Sequence, residues 1–200
     1  MTEFGITFDY RCPFARNAAE HVLTALEAGA PWDVHFVPFS LGQAHVEDGQ
    51  TDIWDRPDDD SGLLALQVGV VVRDTADAAT FRAVHRALFA LRHDRGQSLK
   101  DRALLTEVLV EHGVDAGAVF EAIDDGRALK TVKAEHEASV RDHDVWGVPT
   151  FIVGDEAAFV RLMDRPADDV ELATQSVARV LTLLAEAPTL NEFKHTSIPR

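Results

Sequence analysis

The chain has 200 residues, 46% of them hydrophobic and 26% charged, enough to bury the core of one elaborated globular domain. Its formal net charge of −15, with 19 basic residues scattered along the chain, repels phosphate backbones and speaks against nucleic acid as a partner. No apolar run approaches the roughly 18 residues of a membrane span, and a single cysteine is too few for an internal disulfide, a zinc ribbon or an iron–sulfur cluster.

The opening Met1-Thr2-Glu3-Phe4 has neither the basic n-region nor the apolar h-region of a secretion signal, which predicts a cytoplasmic protein. Phe4-Gly5-Ile6-Thr7-Phe8 reads as a strand. A helical pattern follows, with Ala18, Val22, Leu23 and Leu26 on one side and Pro13 in its first turn, where a missing N–H costs nothing; this puts Cys12 at or near the N-cap. Gly29 ends that helix, and a second strand over 32–39 makes the unit a parallel βαβ. Seven acids between Glu47 and Asp60, without the spacing or the turn glycine of a calcium loop, describe a solvated loop.

From 61 to 143 the periodicity is helical: Leu63, Leu66 and Val70, then Phe81, Val84, Leu88 and Leu91, then Leu104, Leu105, Val108 and Leu109. Ser98 with Asp101 predicts a capping box, Gly113 a stop, Asp115 the N-cap of a short helix closed by Gly126, and a more polar helix covers 128–143. Thr150-Phe151-Ile152-Val153 reads as a strand, Gly154-Asp155-Glu156 as a hairpin turn, 157–162 as its antiparallel partner and 168–186 as a last helix. The order is βαβ, a helical block, then ββα. The apolar stretch Leu64 to Val72 suits either core or the face of a homodimer.

Tyr10-Arg11-Cys12-Pro13-Phe14-Ala15 resembles the Cys-Pro-x-Cys turn of DsbA-like proteins, with Ala15 in place of the second cysteine, and Gly147-Val148-Pro149-Thr150-Phe151 resembles their cis-proline loop. The resemblance covers essentially the whole chain. It implies an α/β protein with a thioredoxin fold and a helical domain inserted between the βαβ and ββα halves: residues 1–60, the insertion 61–144, and 145–200. It further implies that Val148 offers backbone groups to an extended thiol or peptide. Related cytoplasmic proteins are similar to kappa-class glutathione transferases and 2-hydroxychromene-2-carboxylate isomerases, which usually carry Ser at the place of Cys12.

A thiol at a helix N-terminus meets unpaired N–H groups and the positive end of the macrodipole, so Cys12 is expected to be the nucleophile with a lowered pKa, helped by Arg11. Without a resolving cysteine, a mixed disulfide on Cys12 needs an external thiol, which implies monothiol chemistry. The expected substrate-binding residues are Tyr10, Arg11, Pro13, Phe14, Trp54, Trp146, Val148 and Pro149, with the four aromatic residues as walls of an apolar pocket for a hydrophobic second substrate. No tightly bound cofactor or metal is expected: His136-Glu137 opens like a zincin motif, but Val140 stands where the second His should. The co-substrate is a low-molecular-weight thiol, glutathione or, given the bias of 15 Arg to four Lys found in GC-rich bacteria, mycothiol. A transferase or isomerase that activates the thiol without a covalent bond, and a binding module with a degenerate site, stay open as alternatives. His143 is read as a solvated helix-end residue, and the basic tail from Asn191 to Arg200 as either a frayed terminus or a flap over the site.

Overall fold

A computed structural model describes residues 2–198. Its four-stranded sheet has the order β2-β1-β3-β4, formed by β1 (Thr2–Phe8), β2 (Trp32–Pro38), β3 (Thr150–Val153) and β4 (Glu156–Phe159). Helix α1 (Pro13–Glu27) joins β1 to β2, which run parallel in the register Phe8 to Pro38. β3 returns antiparallel to β1, with Gly5 opposite Ile152, and pairs with β4 in a hairpin. A closing helix α8 (Val170–Glu186) packs along α1. This is the thioredoxin arrangement that the order of elements implies.

Between β2 and β3 lie α2 (Leu41–Ala44), two 3₁₀ turns, and α3 (Leu63–Thr75), α4 (Ala78–His93), α5 (Arg102–Glu111), α6 (Ala116–Asp124) and α7 (Arg127–His143). The acidic loop is thus less irregular than expected. Asp101 alone caps α5, its carboxylate accepting from the N–H groups of Ala103 and Leu104, while Ser98 bonds Lys100 in the preceding turn. Asp115 caps α6, and Gly126 turns out of it with φ 79°. The last strand stops at Phe159, three residues earlier than expected, because the chain leaves the sheet to run over α1.

Strand alternation turns Phe4, Ile6 and Phe8 into the core, and one hydrophobic cluster continues from them through α1, α3 and α4. Phe8, Phe36, Phe81 and Phe89 surround the buried His85 with ring centroids 4.6–5.1 Å away. The insertion therefore shares its core with the sheet. In α3, Leu66, Val68, Val70 and Val72 are buried inside this same chain, so these residues of the stretch 64–72 belong to the core. Residues 191–198 form neither helix nor strand, and Pro199 and Arg200 of the tail lie outside the described residues. No described helix is long and apolar enough to cross a membrane.

Candidate active site at the start of the first helix

Cys12 is the N-cap of α1, with Pro13 at the first helical position. The local sequence dictates this: Pro fixes a helical φ where no N–H is needed, and the residue before it stays extended, here at ψ 119°. The half-buried sulfur accepts from the Ala15 N–H at 3.4 Å and donates to the Val148 carbonyl at 3.4 Å. Thus Cys12, Val148 and Pro149, distant in sequence, meet at one end of the sheet.

The loop carrying Val148 is held by residues that sequence reasoning missed. Thr7, near the end of β1, accepts from the Thr150 N–H at 2.8 Å and reaches the Gly147 carbonyl at 3.4 Å; the Thr150 hydroxyl donates to that same carbonyl at 2.8 Å. Both threonines are buried. The Val148–Pro149 peptide is cis, and Val148 and Pro149 are themselves buried beside the thiol. A threonine facing an X-Pro-Thr loop across a strand pair is a signal visible in sequence only once the pairing of β1 with β3 is known.

Arg11 does not play the expected part. Its guanidinium is spent on two carboxylates: Asp9 takes Nε at 3.0 Å and a terminal nitrogen at 2.6 Å, and Asp60 takes the other at 2.8 Å. Asp9 is fully buried and also accepts from the Arg11 and Leu41 N–H groups at 2.9 Å, so this ion pair ties the active-site turn to α2 and the acidic loop. The expected lowering of the Cys12 pKa is overturned as well. Burial pushes the thiol above its ordinary value of 9.0; the N–H groups of Ala15 and Phe14 pull it down, and the Asp9 carboxylate adds to the upward push. Cys12 rests as a thiol whose proton faces the Val148 carbonyl.

The aromatic residues divide. Tyr10 is fully buried, its hydroxyl 2.8 Å from Nδ1 of His85, so it faces the core and cannot wall a substrate site. Trp54 is buried against His136, beside a small cavity of about 250 Å³ lined by Gln43 and Val140 that Cys12 does not reach. Both are large apolar surfaces that the helical block covers. Phe14 and Trp146 do reach solvent: Phe14 lies half-exposed under the Arg161 guanidinium, 5.3 Å from its ring centroid, and Trp146 is 68% exposed and leans on Phe159 at 4.5 Å. Pro13 is exposed at the same edge. Aromatic side chains that reach solvent thus stand two residues from Cys12 and two residues from Val148, the pair that meets at the sulfur.

His143, half-buried at the end of α7, lines a separate groove of about 510 Å³ with Glu3, His35 and Glu135, away from the thiol. Among the described residues no cluster of His, Cys, Asp and Glu is arranged to hold a metal ion.

The family model for the DSBA-like thioredoxin domain matches residues 5–178. Along all 200 residues the chain is 26% identical to the protein Rv2286c of Mycobacterium tuberculosis, covering 84% of that protein. Among solved structures, a 2-hydroxychromene-2-carboxylate isomerase aligns with a TM-score of 0.63 at 16% identity, over 92% of this chain and 98% of the other. The cytosolic disulfide reductase DsbM of Pseudomonas aeruginosa, solved with GSH, aligns at 0.62 and 13%, over 90% and 100%. A probable DsbA oxidoreductase of Streptomyces coelicolor, SCO1869, does so at 0.62 and 15%, over the full length of both. At these identities the solved structures speak for the fold.

Proposed function

The chain belongs to the DSBA-like thioredoxin domain family, and on that footing we propose that it is a cytoplasmic, thiol-dependent oxidoreductase or transferase acting through Cys12 alone. The observation that carries the reading is the position of the half-buried Cys12 sulfur at the N-cap of α1, 3.4 Å from both the Ala15 N–H and the Val148 carbonyl. A substrate disulfide lying along Val148 takes over the carbonyl that holds the resting proton, donating to it an N–H next to its sulfurs. The proton passes to solvent, the thiolate attacks one sulfur, the S–S bond breaks, and the departing thiolate is protonated as Cys12 keeps the other half as a mixed disulfide. With Ala15 buried where a resolving cysteine would stand, a second molecule of free thiol releases the adduct.

Glutathione and mycothiol are the candidate thiols. The structural likeness to a cytosolic reductase solved with GSH supports the first, and the relative in M. tuberculosis the second. A second reading has one observation in its favour: burial keeps Cys12 protonated, the state of a group that donates a hydrogen bond to a bound thiolate without joining it, as in the kappa-like transferases and isomerases. Exposure of the intact chain to glutathione disulfide decides between them by mass. One equivalent of the small thiol should load onto Cys12, persist until free thiol is added, and be absent from Cys12→Ser. A wild type that stays unloaded, or a Ser variant that keeps full thiol-dependent turnover, transfers the assignment to the non-covalent reading.

A further inference from the structure

Basic side chains close to the thiol are largely spent. Arg11 is bound by Asp9 and Asp60, and Arg16 by Glu20 and Asp94. Arg161 differs: it is exposed, makes no ion pair among the described residues, and holds its guanidinium over the ring of Phe14, two residues on from Cys12.

Its position is built. Just before it, the Val160 N–H donates to the Pro149 carbonyl at 3.1 Å. Just after it, Asn17 of α1 donates to the carbonyls of Leu162 and Met163 at 2.8 and 2.9 Å, and the His21 ring bonds the Asp164 carbonyl at 3.1 Å. The segment beyond β4 is thus strapped to the cis-proline loop at one end and to the outer face of α1 at the other. Phe159, two residues before Arg161, lies against Gly147 and under Trp146; its ring comes within 3.6 Å of where a Cβ on Gly147 would be. Arg161 over Phe14, and Trp146 with Phe159 against Gly147, thus belong to the two segments that meet at Cys12, the start of α1 and the cis-proline loop.

Building on the Cys12 reading, we propose that Arg161 sets the charge specificity of the site: the small molecule that reacts with Cys12 carries a carboxylate, as glutathione does, and Arg161 binds that carboxylate beside the ring of Phe14. A chain of net charge −15 repels anions at long range. An unpaired guanidinium laid on an aromatic face reverses that field locally and offers two parallel N–H donors to a carboxylate.

Two aromatic disulfides test this, dithiobis(nitrobenzoate), which carries carboxylates, and the neutral dithiodipyridine. With either, Cys12 attacks one sulfur, the S–S bond breaks, one aryl thiol leaves and its partner stays on the protein. The readout is the ratio of the two rate constants, which cancels any general change in Cys12 reactivity. At low ionic strength Arg161→Gln should lower the carboxylate-to-neutral ratio about fivefold, as expected for one charge at a partly exposed contact. Arg161→Lys should fall between, high salt should erase the difference, and Arg127→Gln, which removes the same charge from the helical block, should leave the ratio alone. A ratio unmoved in Arg161→Gln, or lowered as much in Arg127→Gln, overturns the assignment while leaving Cys12 as the nucleophile. Failure of wild-type protein to release aryl thiol from either disulfide overturns both.

Discussion

The sulfur of Cys12 donates to the backbone carbonyl of Val148 across 3.4 Å, a contact between residues 136 positions apart. It gives the resting proton a fixed acceptor, while burial, with a smaller push from the Asp9 carboxylate, keeps the thiol above its ordinary value of 9.0. Reactivity should follow. Alkylation of the folded protein by iodoacetamide should be slow at pH 7, where the thiolate is on the order of 1% or less, and should climb beyond pH 9. A rate that has levelled off below pH 7 would show that the helix start outweighs burial.

Ala15 is buried directly behind the N-cap, with its N–H on the Cys12 sulfur. Ala15→Cys should therefore create a pair that closes on itself, because the Cys-Pro-Phe-Cys spacing on a helix N-terminus brings the two sulfurs within bonding reach. The oxidised variant should show no titratable thiol and the reduced form should gain insulin reductase activity, both absent from the parent. Two free thiols persisting under excess oxidant would mean the turn is not shaped for a disulfide.

Gly69 of α3 packs against Tyr10; a Cβ there would stand 2.4 Å from the tyrosine hydroxyl. In an open helix Gly→Ala stabilises by about 1 kcal/mol. Here the new methyl must displace a buried ring and its bond to His85, costs of about 1–3 kcal/mol each. Gly69→Ala should accordingly lower the melting temperature, and a rise would place Tyr10 elsewhere.

Stability should fall on acidification from below neutral pH. Burial pushes His85 down to about 3 and His136 down to about 4, from 6.5. Between those values and 6.5 the unfolded chain binds protons the folded one refuses, so the stability that both histidines contribute is complete above 6.5 and is lost as pH drops. Each would account for about 2–3 kcal/mol by pH 4.5. Urea midpoints measured from pH 7 to 4.5 should fall steadily, and His85→Leu should flatten the slope even though it leaves the Tyr10 hydroxyl without its partner. An equal slope in the variant would assign the acid sensitivity to other groups.

Local chemistry made the frame legible. Alternation in 4–8 and the helical spacing of the central block, with Pro13 and the turn residues Gly126 and Asp115, need nothing beyond the chain's own periodicity and backbone preferences, and they locate Cys12 at a helix start. The N-cap sulfur and the apolar rings of Phe14 and Trp146 follow from the same reading. What sequence could not decide was which charges and rings end up facing one another. Tyr10 and Trp54 look like substrate walls as isolated aromatic residues, but α3, α4 and α7 bury them. Arg11 looks like an activator of the neighbouring thiol until Asp9 and Asp60 claim it, and the helix-start effect on Cys12 is outweighed by desolvation, a property of everything packed around the sulfur. Arg161 carries no local signal, because its meaning depends on a strap that Asn17 holds over α1. Periodicity and capping are local and are written in the sequence; solvent exclusion and charge pairing join residues far apart along the chain and exist only once the chain has closed on itself.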